Sequence, residues 1–339
     1  MMMTSYDIFA RTETTAFKST IKSMSLSEIS SSNKLIVMID YYLHSCLLPI
    51  IIVFGVIGNL SNLYIFTRPA LFRSCSIYFL AGAINGLVLL LFGTTTRWLG
   101  HTYPQLDATS YSLFYCRFRN YLMNVIYDLA PYFTACVTID RFCSSSVNAN
   151  IRRFSSRPKL AYIVIIFIII TTFIAYFHNL IYYTIINDFC QTEPGFYTRF
   201  FSFFTTIYYC VAFFSILIFG LWTVHNVKQQ RRRIEPMRHR ITHADRKHLR
   251  NDGQILMMLF IHVACYTLLA VPFHITLIVA AVDPFIITDS TFLFIQRITI
   301  IALNFNQAVR LIILFTNIKN KICLNYCVLD RLLCVHLNH

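Results

Sequence analysis

Residues 116–142 have the sequence CRFRNYLMNVIYDLAPYFTACVTIDRF. This stretch is mostly apolar, begins with Cys116 and ends with the triplet Asp140-Arg141-Phe142. A helix rises by about 1.5 Å per residue, so the part between Cys116 and Asp140 is roughly 36 Å long. This length is enough to cross the hydrocarbon core of a bilayer. We therefore expect a membrane-spanning helix with a thiol at one end and an acid–base pair at the other.

The composition of the whole chain indicates a membrane protein. Its 339 residues are 56% hydrophobic and 13% charged, with a mean hydropathy of +0.58, whereas soluble domains carry about 25% charged residues. Seven apolar stretches are long enough to span, at residues 42–66, 76–96, 117–139, 160–183, 200–224, 254–281 and 291–315. They lack the alternating pattern of barrel strands. The sequence predicts an all-α bundle of seven transmembrane helices.

The net charge of +14 is concentrated on one side of the predicted membrane. Lysine and arginine residues cluster after the first, third, fifth and seventh spans. By the positive-inside rule these loops and the carboxyl end are cytosolic, and the amino end is extracellular. Because juxtamembrane cations normally lie in water or near anionic lipid, the charge marks topology and does not indicate nucleic-acid binding.

Two of the 11 cysteines fall outside both the predicted spans and the cytosol. Cys116 begins the third span, and Cys190 lies in the polar loop after the fourth. Extracellular thiols meet an oxidising environment, so an even pair there predicts a disulfide. This bridge would hold the second outer loop over the mouth of the bundle.

These features resemble a rhodopsin-like, or class A, G-protein-coupled receptor over about residues 40–335. In that family a cysteine at the outer end of the third helix is bridged to the second outer loop, and an Asp/Glu-Arg-Tyr/Trp triplet ends the same helix. The spacing between Cys116 and Arg141 in this chain is similar to the spacing between those two features in the family. Gly58-Asn59 resembles the family's Gly-Asn pair in the first helix, and Pro272 its helix-kinking proline in the sixth. The resemblance implies a plasma-membrane receptor for an extracellular ligand, with a heterotrimeric G protein as partner and no cofactor.

The sequence also departs from the family pattern, which makes the chain a divergent member. Asn85 replaces the usual aspartate of the second helix, and Ala270 replaces the aromatic residue two positions before Pro272. The fourth-helix tryptophan and fifth-helix proline have no counterpart. The seventh span lacks Asn-Pro-x-x-Tyr, and residues 304–307 and 311–315 are rival alignments for it.

The resemblance assigns G-protein coupling to the triplet Asp140-Arg141-Phe142. A guanidinium is always charged and offers a fork of donors. Arg141 can therefore pair with a carboxylate at rest and turn to a partner protein when the helices rearrange.

The candidate ligand residues are Met123, Tyr127, Glu193, Arg199 and His274. At about 100° per residue, Met123 and Tyr127 lie within about 40° of each other on the helix. Amine receptors of the family place an aspartate seven residues after the bridging cysteine, where this chain has Met123. We therefore expect a peptide ligand, such as a neuropeptide, rather than a monoamine. His274 is also compatible with a histidine that is satisfied locally within its helix.

Asp128 lies about 140° from Met123 on the same helix and near the bilayer centre. An ionised carboxylate costs about 3 kcal/mol there, so the side chain must be neutral or paired. Two alternatives are open: an ion pair with Arg310, or a protonated acid hydrogen-bonded to a neighbouring helix.

The chain is expected to have three parts. Residues 1–40, rich in Ser and Thr, are expected to be a disordered extracellular tail, and residues 41–318 form the receptor domain. Residues 319–339 are expected to hold a short amphipathic eighth helix and a cytosolic tail. Juxtamembrane cysteines there are candidate acylation sites, namely Cys323, Cys327 and Cys334.

The alternative function is a secondary transporter or channel. Transporters tend to have internal repeats and paired broken helices, whereas the sequence suggests one internal proline hinge, Pro272. No catalytic motif of a membrane enzyme occurs. His239 and His243 have the spacing of a metal pair but lack further ligands, so no metal site is predicted.

Overall fold

The computed structural model describes residues 31–68, 74–146, 148–155, 157–186, 189–193, 195–234, 264–265, 267–282 and 291–306. These residues hold seven apolar helices, each within or overlapping one predicted stretch. The helices are α1 (Ser31–Tyr42, resumed as Leu48–Phe66), α2 (Ser74–Val88, resumed as Thr95–Thr102), α3 (Leu113–Ser145), α4 (Pro158–Ala175), α5 (Phe196–Ile234), α6 (Thr267–Val282) and α7 (Thr291–Asn306).

Five of these helices, α1 to α5, are long and apolar enough to cross a membrane. The described parts of α6 and α7 are shorter apolar helices. α3 begins where the Ser112 hydroxyl accepts a hydrogen bond from the Tyr115 amide at 3.3 Å, which satisfies one of the free amides of the first turn. α4 begins at Pro158, whose fixed φ and missing N–H suit a first helical position.

Two helices contain a π-helical stretch in the interior of their apolar runs. Leu43–Leu47 interrupts α1, and Leu89–Thr94 interrupts α2. In α2 the hydroxyl of Thr95 donates to the Leu90 carbonyl, and Thr94 Oγ1 lies 3.3 Å from the Leu89 carbonyl oxygen. A π turn adds a residue to the helix, so the side chains beyond it are rotated from the direction that regular periodicity predicts.

Helix bounds differ from the sequence prediction at several ends. α1 begins at Ser31, inside the stretch 1–40 that was expected to be a disordered tail. α2 runs on to Thr102 rather than residue 96, because its polar last turns find partners in the bundle. α3 contains a buried proline, Pro131, so Pro272 is not the single internal proline that the sequence suggested. Residues 1–30, the eighth helix, Cys323, Cys327, Cys334, Arg310 and residues 311–315 lie outside the described residues.

α3 is the central helix of the bundle. In its most apolar 18-residue window 72% of residues are buried, against 22% in α4 and in α5. Its buried side chains form the main core with residues of α2, α4 and α5, among them Val125, Phe133 and Val137. The outward faces of α4 and α5 expose large apolar side chains such as Phe167 and Leu221, as expected for surfaces solvated by lipid.

A short hairpin joins α4 to α5. After the turn and the helix Asn179–Tyr182, the antiparallel strands β1 (Tyr183–Ile186) and β2 (Phe189–Thr192) pair with Ile185 opposite Cys190. Arg117 donates from Nε to the Tyr183 carbonyl at 2.8 Å. The hairpin therefore lies against the Cys116 end of α3.

Candidate functional site

A disulfide fixes the hairpin to the bundle. Cys116 on α3 is bonded to Cys190 on β2, with a Cα–Cα distance of 5.6 Å and a sequence separation of 74. Asn120, one turn along α3, donates from Nδ2 to the Cys190 sulfur at 2.9 Å. The predicted bridge is thus present, and it holds β1 and β2 over one end of the helices.

Removing the disulfide is expected to lower stability. Cys190→Ser or Cys116→Ser frees the long segment between the two residues, which should cost about 2–4 kcal/mol. Thermal unfolding of the purified protein measures the loss, and Cys46→Ser, which changes an exposed free cysteine, is the matched control. Alkylation of both thiols in the untreated wild-type protein would contradict the bridge.

A cavity of about 110 Å³ lies beneath the hairpin, between α2, α3, α5, α6 and α7. Its wall mixes apolar and polar side chains from these helices and from β1. The lining residues are Arg97, Arg119, Asn120, Met123, Asn124, Tyr127, Asp128, Tyr183, Thr205, Tyr209, Phe273, His274, Ile300, Leu303 and Asn306. A concave site with a few convergent polar groups is the usual form of a small-ligand site.

Three of the sequence-predicted ligand residues line this cavity. The Met123 side chain packs closely against Gly93 of α2. A Cβ added at Gly93 would collide with it. The Tyr127 hydroxyl donates to Asn304 Oδ1 at 3.1 Å, and Thr94 donates to the same oxygen at 2.9 Å. These bonds join α2, α3 and α7 around the cavity.

His274, the third of these residues, is buried and stacks on the ring of Tyr209 with centroids 3.9 Å apart. Its Nδ1 has no hydrogen-bond partner among the described residues, and neither do the amide atoms of Asn306 in the same wall. Buried polar atoms are nearly always paired, with protein, water or ligand. The sequence was also compatible with a His274 that is hydrogen-bonded within its own helix. At Nδ1 no such bond is present among the described residues.

Glu193 and Arg199 do not line the cavity, although the sequence grouped them with its ligand residues. Both side chains are exposed. β2 ends at Thr192 and α5 begins at Phe196, so the chain has left the covered region at these positions. The sequence alone could not show that these two side chains lie outside the cavity, because this depends on where the hairpin ends and α5 begins.

Asp128 lines the cavity together with Met123, which the helical angle between them did not predict. The cavity extends around α3, from the Met123 side to the Thr205 and Tyr209 side on α5. The Asp128 carboxylate accepts a hydrogen bond from Tyr176, which is fully buried. Of the two alternatives for Asp128, the structure contains the hydrogen bond to a neighbouring segment, while Arg310 lies outside the described residues.

Tyr183 of β1 forms part of the roof of the cavity. Burial raises the pKa of its phenol to about 12, because a charged phenolate would lose its hydration there. A tyrosine hydroxyl is already protonated at physiological pH, and burial here makes its charged form still less favourable.

A second polar cluster joins α1, α2 and α7 at the same end. Asp40 of α1 forms an ion pair with Arg297 of α7. Asp40 Oδ1 lies 3.3 Å from His44 Nδ1, and Oδ2 lies 3.6 Å from His101 Nε2. This cluster was not predicted from the sequence, although a single aspartate in an apolar helix is a signal for a paired or functional group.

Asp40, His44 and His101 offer ligand atoms within 4.8 Å of one another, as a metal site requires. However, the Arg297 guanidinium already occupies the Asp40 carboxylate. The two imidazole rings are also stacked at 9°, so their in-plane lone pairs cannot converge on one ion without a rotation. We interpret the cluster as a polar contact that holds three helices together.

Replacing Asp40 by Ala should therefore weaken the packing of α1 on α7. Losing a buried ion pair costs about 3–5 kcal/mol, and because Arg297 is partly exposed we expect about 2 kcal/mol here. The melting temperature of the purified protein measures the effect, with Asp40→Asn, which keeps an acceptor oxygen, as an intermediate. An unchanged melting temperature in both variants would show that the cluster is not structural.

The opposite end of α3 carries the triplet. Asp140 Oδ1 accepts a hydrogen bond from Ser155 at 2.9 Å, and Arg141 Nε donates to the Cys75 sulfur of α2 at 3.2 Å. The ring of Phe142 lies 5.4 Å from that of Phe219 on α5. The triplet thus contacts α2, α5 and the short helix Ala149–Ser155.

Comparisons with known proteins bear on the fold. No protein-family model matches the sequence, and no curated protein does. Among solved structures, squid rhodopsin is similar with a TM-score of 0.66 and 14% sequence identity, and the match covers 80% of each chain. At this identity the likeness establishes the fold alone, and it confirms the predicted all-α seven-helix bundle. The chain is a multi-pass membrane protein with the seven-helix fold of squid rhodopsin.

Proposed function

We propose that this chain is a plasma-membrane receptor that transmits the binding of an extracellular peptide to a cytosolic heterotrimeric G protein. In this proposal the Cys116 end of the bundle and the amino end of the chain face outward, and the triplet end faces the cytosol. The cavity beneath the disulfide-held hairpin is the observation that carries the proposal. It provides a partly enclosed site with unpaired polar atoms at one end of a helix whose other end holds the triplet.

α3 and α5 connect the two ends physically. Tyr127 and Asp128 line the cavity on α3, and Arg141 lies at the far end of the same helix. On α5, Tyr209 lines the cavity, and Phe219 meets Phe142 beyond it. A ligand that binds one packing of these helices more tightly would increase the population of that packing. Because the triplet's contacts depend on the same packing, the cavity and the triplet would be coupled.

The size and chemistry of the site favour a peptide over a monoamine. Met123 occupies the position from which amine receptors of this fold supply the ammonium counterion. The cavity is of the same order as the ~150 Å³ space that admits a benzene, so only one group of a larger ligand fits inside. The remainder would lie along the hairpin, where Glu193 and Arg199 are exposed and available as rim contacts.

Ligand-driven nucleotide exchange tests the proposal. Membranes from cells that express the full chain and a promiscuous G protein would be screened with a peptide library and with a panel of monoamines. We expect peptide fractions to accelerate exchange and monoamines to have no effect at sub-micromolar concentration. Ligand-dependent current or flux without nucleotide exchange would instead support the transporter or channel alternative.

A further inference from the structure

The cavity contains two arginines for which the described residues offer no carboxylate partner. Arg97 of α2 and Arg119 of α3 both line it. Arg119 donates from Nε to the hydroxyl of Thr96, the residue beside Arg97, at 3.0 Å. The Arg97 guanidinium is within electrostatic range of Arg119, with which it lines the cavity, and of Arg297.

The nearby acidic groups have other partners. Asp128, the one carboxylate among the lining residues, accepts from Tyr176. Asp40 is paired with Arg297 and lies beside His44 and His101. Across the described ranges of the chain, no carboxylate lies within ion-pairing distance of Arg97 or Arg119.

An unneutralised pair of cations in a confined wall is unfavourable. Like charges repel each other more strongly where water is partly excluded, and each guanidinium has lost part of its hydration. An anion that enters the cavity would relieve both costs. Arginine is also the side chain best suited to bind a carboxylate, because its planar fork can donate two parallel hydrogen bonds.

We infer that the ligand of this cavity carries an anionic group, a carboxylate, which Arg97 and Arg119 bind. The inference rests on the proposed receptor function and adds the chemical class of ligand. The small cavity volume makes this group the inserted end of the ligand. The carboxylate can be the carboxyl terminus of a peptide, an acidic side chain or a small organic acid, which present the same two oxygens.

Affinity selection on the purified full-length protein in lipid nanodiscs tests this inference. Four pools serve as probes: tripeptides with a free carboxyl terminus, the same tripeptides amidated, amidated tripeptides that contain one glutamate, and small aromatic carboxylic acids. Mass spectrometry would measure what the protein retains. We expect at least one carboxylate-bearing pool to be retained about tenfold more than the neutral amides, and the pool retained identifies the source of the carboxylate.

Substitutions assign the retention to the two arginines. The double variant Arg97→Gln with Arg119→Gln is expected to lose the tenfold preference. Arg97→Lys with Arg119→Lys, which keeps the charge but not the fork, should retain part of it. Arg152→Gln, which removes an exposed arginine at the triplet end of the bundle, is the matched control and should bind as the wild type does.

The wild-type experiment decides the matter even if the double variant does not fold. Equal retention of acids and amides, a preference for amides, or no retention of any pool would overturn the inference. A preference for carboxylates that persists in a folded double variant would overturn it as well. Nucleotide exchange driven by a neutral peptide would also overturn the anionic class while leaving the receptor function intact, so the two failures are distinguishable.

Discussion

Replacing Arg141 by Ala is expected to abolish agonist-driven nucleotide exchange while leaving ligand binding and folding largely intact. Arg141 lies at the opposite end of α3 from the cavity, and its Nε donates to the Cys75 sulfur of α2. A thiol is a weak acceptor, so this bond can be exchanged for stronger acceptors on a partner protein. The measurement is exchange on purified receptor and G protein in nanodiscs, with radioligand affinity determined in parallel.

The matched control for this experiment is Arg152→Ala. Arg152 lies in the short helix Ala149–Ser155 at the same end of the bundle, and its side chain is exposed. It should exchange nucleotide as the wild type does, which separates the role of Arg141 from a general loss of positive charge. Normal agonist-driven exchange by Arg141→Ala would show that this chain does not use the triplet for coupling.

Asp140→Asn is expected to raise basal nucleotide exchange in the same assay. The change removes the negative charge beside Arg141 and weakens the hydrogen bond that Asp140 accepts from Ser155. Both effects loosen the resting contacts of this end of α3. Basal exchange equal to or below that of the wild type would show that Asp140 does not restrain the resting state.

The parts of the fold that sequence predicts are those encoded in local chemistry. The apolar stretches have spanning length because the bilayer requires it, so all seven could be read from composition. Cys116 and Cys190 were predictable as a pair because they were the two thiols left in an oxidising compartment. Met123 and Tyr127 were placed together because four residues bring side chains to one face of a helix.

That Arg97 and Arg119 line one cavity was not predictable by the same reasoning. The π stretch Leu89–Thr94 precedes Arg97 and rotates the end of α2, so regular periodicity misplaces that side chain. Arg119 is held by a contact with Thr96 of another helix, which no spacing within α3 reveals. Asp40 and Arg297 are likewise joined across a large sequence distance. Long-range side-chain contacts of this kind require the packed structure.

The position of Asp128 shows a different limit. Asp128 and Met123 lie about 140° apart on the surface of a regular helix, yet both line one cavity. Position on the helix surface does not fix the environment here, because α3 is largely buried and packs against several helices. At such a helix, residues that lie well apart on its surface can line the same cavity.

Filling the cavity should strongly lower agonist potency without altering the triplet. Ile300 of α7 lines the cavity, and an indole at this position would occupy most of a space of about 110 Å³. Ile300→Trp is therefore expected to lower agonist potency by about a hundredfold or more, equivalent to about 2.7 kcal/mol of binding free energy. Concentration–response curves for nucleotide exchange, with the best peptide fraction as agonist, give this value.

Ile298→Trp is the control for this last experiment, because Ile298 lies two residues earlier on the same helix and is 39% exposed. It introduces the same ring into α7 outside the cavity and should leave potency unchanged. Overpacking by Ile300→Trp can itself cost about 1–3 kcal/mol of stability, so surface expression and melting temperature are measured for both variants. If a well-expressed Ile300→Trp protein responds with wild-type potency, the ligand does not enter this cavity and the binding site must lie on the exposed hairpin instead.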